Sequence, residues 1–171
     1  MDPIDLRQTV RELLEPTVAR LGFDLVAVEW LGGRRGAVLR LSIEGATEKG
    51  PGVSADDCAK VTERVSPLLD EADPIPGRYT LEVSSPGIER PVQRPADFER
   101  FNGYRAKIRL VEGPPRRRYT GTLCGVDEHD LLVMVDGAEH RLPLDTIERC
   151  HLDLTLEEYQ SLAPPHAESE P

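Results

Sequence analysis

Leu6, Val10, Leu13, Leu14, Thr17, Val18 and Leu21 recur at spacings of three and four. That is the period of one helix face, so the pattern predicts a helix over Pro3–Leu21. Asp2 is placed to cap it, Pro3 suits the first helical position and Gly22 can end it. Pro16 lies inside the pattern and predicts a kink. The period then changes to two. Phe23–Leu31 reads as a strand, and Ala37–Glu44 as a second, with Ala37, Leu39, Leu41 and Ile43 on one face and Arg40, Ser42 and Glu44 on the other. Gly32–Gly36 between them reads as a hairpin loop. Ser54 with Asp57 three residues on is a capping-box start to a second helix, whose inward face is Cys58, Val61, Val65, Leu68 and Leu69. After Asp73-Pro74-Ile75-Pro76-Gly77 a third strand, Arg78–Ser84, buries Tyr79, Leu81 and Val83. Helix, strand, strand, helix, strand predicts an N-terminal α/β domain over residues 1–84 with both helices on one sheet face.

The periodicity breaks at Ser84. The stretch SSPGIERPVQRP, residues 84–95, holds three prolines and one glycine, and it predicts a proline-rich interdomain linker over residues 85–95. Strand signals then dominate. Tyr104, Ala106, Ile108 and Leu110 alternate with Arg105, Lys107 and Arg109. Tyr119–Val126, Leu131–Val135, His140–Leu144 and Thr146–Leu152 follow, and Asp136-Gly137 is a strong hairpin signal because both central positions of a type I′ turn need positive φ. Five short strands with this rhythm predict an SH3-like (Sm-like) all-β barrel over residues 96–152. Residues 153–171 read as an acidic, disordered tail with at most one helical turn. The fold class is α+β.

Composition narrows the function. The 171 residues suffice for two small domains, and 39% hydrophobic with 30% charged residues suits a folded protein. The formal charge of −10 argues against a chain held on nucleic acid by its overall charge. The charge is uneven: residues 1–96 carry net −4, residues 97–151 net −1, and the last twenty net −5. The barrel region is thus nearly neutral and can present a local basic patch. The longest apolar run, Leu131–Val135, is far short of the ~20 residues that span a bilayer. The N-terminus shows no secretory signal, and three widely spaced cysteines suggest reduced thiols in a cytoplasmic protein.

Catalytic and metal motifs are missing from the pattern. His129, His140, His151 and His166 form no metalloprotease pair, and no CxxC is present. Cys150 and His151 are neighbours on a predicted strand and point to opposite faces, while Cys58 sits on an apolar helix stripe as a small hydrophobe. Ser84 and Ser85 precede a Pro-Gly turn without a nucleophile elbow, and a hydrolase using Ser85 would need a base that the sequence does not supply. No phosphate-binding or dinucleotide loop occurs. An enzyme is therefore not expected, nor a cofactor. Two features are left. Arg116-Arg117-Arg118, in the loop after the first barrel strand, can reach phosphates from several directions or can be a solvated loop. Glu89, Arg90 and Arg94, among prolines, can fix the angle between domains or can belong to a stiff spacer.

Leu81-Glu82-Val83-Ser84-Ser85-Pro86-Gly87-Ile88-Glu89-Arg90-Pro91, followed by Arg94-Pro95-Ala96-Asp97-Phe98, resembles the signature of the bacterial ribosome maturation factor RimP family. The resemblance takes in Gly22–Val26, Glu29-Trp30, Val53-Ser54, Asp56-Asp57-Cys58 and Asp73–Gly77 upstream. Downstream it includes Tyr119–Leu123 and the Pro143-Leu144 with Ile147 pattern. It runs over residues 4–152, leaving the tail outside. It implies an α/β domain followed by an SH3-like barrel, in a non-catalytic factor that binds the immature 30S subunit in the cytoplasm. It further implies direct contact with the basic small-subunit ribosomal protein numbered twelve. By the same resemblance Ser84, Ser85, Pro86, Gly87, Glu89, Arg90 and Arg94 form an interdomain and partner-facing surface. Arg116, Arg117 and Arg118 are the residues expected to touch rRNA, 16S rRNA among the possible partners. No membrane contact is expected, and the chain is expected to be a monomer. An Sm-like module acting on free RNA is the competing reading; the near-neutral barrel and the 5% aromatic content, which leaves few stacking platforms, weigh against it.

Overall fold

A computed structural model of the chain describes residues 3–32, 36–46, 52–111 and 116–162. Two compact units result, one ending at Pro86 and one running from Gly87 to Leu162. The first unit contains α1 (Pro3–Arg20), β1 (Phe23–Leu31), β2 (Ala37–Gly45), α2 (Ala55–Ala72) and β3 (Tyr79–Ser84). Asp2, the predicted cap, and residues 33–35 of the predicted hairpin loop lie outside the described residues.

The sheet runs β1-β2-β3, with β1 antiparallel and β3 parallel to β2. A parallel neighbour needs a crossover, and α2 provides it. Val10, Leu14 and Val18 of α1, Val61 and Val65 of α2, and Leu39, Leu41 and Ile43 of β2 share one core and are fully buried. The predicted inward face of α2 is half right in degree: Val61, Val65 and Leu69 are buried, whereas Cys58 and Leu68 pack at its margin. The register of β1 slips between Leu25 and Ala27. At that irregularity Arg11 of α1 donates from Nη1 to the Leu25 carbonyl at 2.8 Å and from Nη2 to the Val26 carbonyl at 3.2 Å. A guanidinium fork thereby satisfies carbonyls that the ladder leaves at the slip.

Helix α2 begins as its sequence requires. The Ser54 hydroxyl accepts from the Asp57 N–H at 3.1 Å, and the Asp57 carboxylate accepts from the Ser54 N–H at 3.0 Å. It ends on Asp73 in the left-handed region, φ 45°, a place more often taken by glycine. Along the opposite sheet face Glu29, Arg40 and Glu82 lie in one cross-strand row, and Arg40 Nη2 approaches Glu82 at 3.7 Å. Glu29, Ser42 and Glu44 on that face are buried as well.

The second unit contains α3 (Pro95–Arg100), β4 (Arg105–Leu110), β5 (Arg118–Asp127), β6 (Asp130–Val135), β7 (Ala138–Pro143), β8 (Ile147–Leu152) and α4 (Leu156–Leu162). Its sheet is antiparallel in the order β7-β6-β5-β4-β8. One face packs Ala106, Ile108, Leu123, Leu131, Val133 and Leu152 with Phe98 and Phe101 into a separate core. Strand positions follow the predicted alternation closely, and Asp136 and Gly137 turn the β6–β7 hairpin with φ of 49° and 80°.

Three expectations need correction. The described pairings leave β7 and β8 as the two ends of the sheet, so these strands do not close into the barrel that their rhythm suggests. The unit also holds α3, which the proline-rich reading ran past; Pro95 occupies a first-turn position where its missing N–H costs nothing. Residues 156–162, assigned to a disordered tail, form α4, started by a second capping box between Thr155 and Glu158. The remaining tail, residues 163–171, lies outside the described residues.

Gly121 shows how tightly β5 and β6 are matched. A Cβ built there would overlap the Met134 carbonyl oxygen and lie 2.8 Å from Val135 Cγ2. The obstacle is backbone, which cannot step aside as a flexible side chain would. Gly121→Ala is expected to destabilise the second unit by about 2 kcal/mol or more, read as a fall in the urea midpoint.

Candidate nucleic-acid interface

Because β4 buries Ala106, Ile108 and Leu110, period two turns Arg105, Lys107 and Arg109 to the opposite face. The neighbours on either side obey the same rule. Arg118 and Thr120 of β5, and Arg149 and His151 of β8, emerge beside them. Pairing fixes the rows: Arg109 stands opposite Arg118 on one side and Arg149 on the other, while Lys107 stands between Thr120 and His151. With strands ~4.8 Å apart, three arginines span about 10 Å across the sheet.

These side chains line an open concavity of about 390 Å³. Lys107, Arg109, Arg118 and Arg149 supply four permanent cations, against Glu89 and Asp153 among the lining residues. Asp153 is engaged by Arg105 at 3.1 Å, and Arg109 Nε donates to Glu148 at 2.9 Å. Lys107 and Arg118 make no ion pair among the described residues. A chain of net charge −10 therefore carries a cationic hollow on one sheet face.

The three consecutive arginines are not a common loop cluster. Arg118 is the first residue of β5 and belongs to the hollow. Arg117 is tied to the end of β4: its carbonyl accepts from the Leu110 N–H at 2.8 Å, and its Nε donates to the Leu110 carbonyl at 3.3 Å. Arg116 lies with its guanidinium 4.7 Å from the Tyr119 ring centroid and donates to the Arg118 carbonyl at 2.9 Å. All three are exposed. Residues 112–115, which include Pro114 and Pro115, lie outside the described residues.

The proline-rich segment is divided. Ser84 ends β3, half-buried, and Ser85, Gly87 and Glu89 are exposed, with Pro86 half-buried. From Arg90 the chain pairs with β8, which the reading of an irregular linker did not anticipate. Leu152 N–H donates to the Arg90 carbonyl at 2.8 Å, Val92 N–H to the Cys150 carbonyl at 2.8 Å, and Pro91 bridges His151. Pro91 has no N–H to give, and the alternating geometry of an antiparallel pair does not ask for one there. Arg90 is 9% exposed, with its guanidinium 4.9 Å from the Phe101 ring centroid. Arg94 Nε donates to the buried Asp97 at 2.6 Å. Arg90 and Arg94 thus hold α3 and the core, while Ser85 to Glu89 stays accessible.

The basic rows were present in the sequence as the alternation of Arg105, Lys107 and Arg109. What it could not supply was the partner strands, since β8 reaches β4 only through the fold. Among the described residues no group of three histidine, cysteine or carboxylate side chains is placed to hold a metal; His166 lies outside them. Burial pushes the Cys150 thiol from 9.0 up to about 12, and burial with the neighbouring Asp57 raises that of Cys58. Neither is an activated nucleophile. Among the described residues no helix is long and apolar enough to cross a membrane.

A two-unit α+β protein with a cationic β face is the class these observations define. Residues 13–89 match the family model described as the RimP N-terminal domain, and over those residues the chain is similar to that family.

Two outcomes follow from the site. A fragment 87–162 keeps Arg90–Val92 on β8 and is expected to give a dispersed NMR spectrum, whereas a fragment beginning at Arg94 should melt well below it. Cys150 titrates with a raised value when folded, so its contribution is complete below about pH 9 and is lost as pH rises toward 12. Urea midpoints should therefore fall between pH 9 and pH 12 more steeply for the wild type than for Cys150→Ala.

Proposed function

We propose that this chain is a non-catalytic maturation factor of the small ribosomal subunit. It binds the immature 30S particle in the cytoplasm as a monomer and assists incorporation of the basic ribosomal protein numbered twelve, with contacts to 16S rRNA. The match of residues 13–89 to the RimP N-terminal domain carries this reading. The five-stranded second unit is taken to be the SH3-like module of the family, and residues 1–84 and 96–152 its two domains.

Charge supports a dual contact. Ribosomal proteins are basic as a class, and a chain of net −10 attracts a basic partner while resisting indiscriminate attachment to RNA. The accessible stretch Ser85, Pro86, Gly87 and Glu89, following Ser84, is assigned to the protein-facing surface, with Arg90 and Arg94 bracing it from within. Arg116, Arg117 and Arg118 are assigned to rRNA.

The test is sedimentation of the purified chain with 30S, 50S and 70S particles. It should travel with 30S from a deletion strain more than with mature 30S or with 50S. The same strain should accumulate free subunits and unprocessed small-subunit rRNA. Equal partition among all particles, with a normal subunit profile in the cold, would remove the maturation role.

A further inference from the structure

Three arginines occupy directly opposed positions on adjacent strands, Arg118, Arg109 and Arg149, and Lys107 fills the next row. Like charges in direct cross-strand opposition work against the sheet. A fold that tolerates such a row is stabilised when an anion lies across it. Arg109 Nε donates to Glu148 at 2.9 Å, and among the residues lining the hollow cations outnumber carboxylates. The row sits beside Arg116 and Arg117 at the same end of β4 and β5, while the far end is closed by the Arg105–Asp153 pair. Positive charge is thus concentrated at one end of the face.

From this we infer that the outer face of β5-β4-β8 is a phosphate-backbone cradle for single-stranded RNA, with Lys107, Arg109, Arg118 and Arg149 as its contact residues. The inference rests on the maturation reading for the identity of the RNA but not for the existence of the site. Charge complementarity selects a polyanion. A run of guanidinium groups, each able to meet a phosphate through a fork of N–H donors, selects phosphate over an isolated carboxylate. Recognition is independent of sequence: Tyr119 is 9% exposed and packed into the core, which leaves the His151 imidazole as the one ring on this face where a base can stack. The contact extends the proposed rRNA site from Arg116, Arg117 and Arg118 onto the sheet face to which Arg118 belongs.

The probes are a single-stranded segment of 16S rRNA, a scrambled RNA of equal length, and polyglutamate, each titrated against the full chain over a range of salt. The variant is Lys107→Gln with Arg118→Gln, the two cations least engaged within the protein. Arg141→Gln, on the β7 strand and held by Asp127 and Asp130 at 3.0 and 3.2 Å, serves as a control of equal chemistry outside the hollow. The double variant is expected to lose about tenfold in affinity for both RNAs alike, with the salt slope flattened by about 0.7 for each contact removed. The control should match the wild type, and unchanged thermal melting confirms that folding is intact. RNA affinity and slope unchanged in the double variant would overturn the inference, as would selective loss of polyglutamate binding. The maturation reading fails separately, if the wild type binds RNA in this way yet does not sediment with immature 30S.

Discussion

The second unit depends on the pleat of β4. Ala106, Ile108 and Leu110 are 0%, 3% and 5% exposed, and each is buried only because its neighbours face outward. A one-residue slip would send Arg105, Lys107 and Arg109 into a core lined by Phe98, Phe101 and Leu123, at the cost of several kcal/mol for each unpaired charge. Register and basic face are therefore one constraint. β4 also lies between β5 and β8, so the direction it takes determines which of their side chains join the outer face. Gly121 contributes from β5, where the absence of a side chain lets β6 close on the same sheet.

The same reasoning explains why a stretch dense in proline is still structured. Pro91 and Pro95 remove two donors, but neither position requires one: Pro91 bridges β8 between two residues that do pair, and Pro95 stands in the first turn of α3. Arg90 then contributes by packing as much as by charge. Its stem is buried and its guanidinium faces Phe101, which Arg100 also approaches, at 4.8 Å from the ring centroid. The signature residues closest to this segment's middle are thereby explained by stability, leaving Ser85 to Glu89 as the part that the fold does not consume.

Most elements were legible from period alone. α1, α2 and the eight strands of the described residues lie within a few residues of their predicted positions, because most carry a stripe or an alternation and β1 a short run rich in Val, Leu and Trp. The misses share a cause. α3 and α4 span 6 and 7 residues, too short to display a helical period, and their signals are a first-turn proline and a Thr155–Glu158 box. The pairing of Arg90–Val92 with β8, and of β8 with β4, joins positions far apart in the chain, which no local pattern encodes. For that reason Arg116, Arg117 and Arg118 read as one cluster, while the row Arg118–Arg109–Arg149, assembled by three strands, stayed invisible.

A basic face on an acidic chain has a physical consequence for reversible binding. Around a Debye length of about 8 Å at physiological salt, the cations of one row reinforce each other, while acids elsewhere on the protein are largely screened. Contact with a phosphate backbone is then favourable locally, yet a net charge of −10 opposes the addition of further RNA contacts as the surfaces approach. On the proposed contact, affinity would be limited to the few phosphates the hollow can hold, and its dependence on salt would make it easy to reverse. The proposed maturation role, attachment to an unfinished ribonucleoprotein and release once it is finished, would call for that limit. A uniformly basic surface of the same area would bind more tightly and would be retained on mature particles as readily as on immature ones.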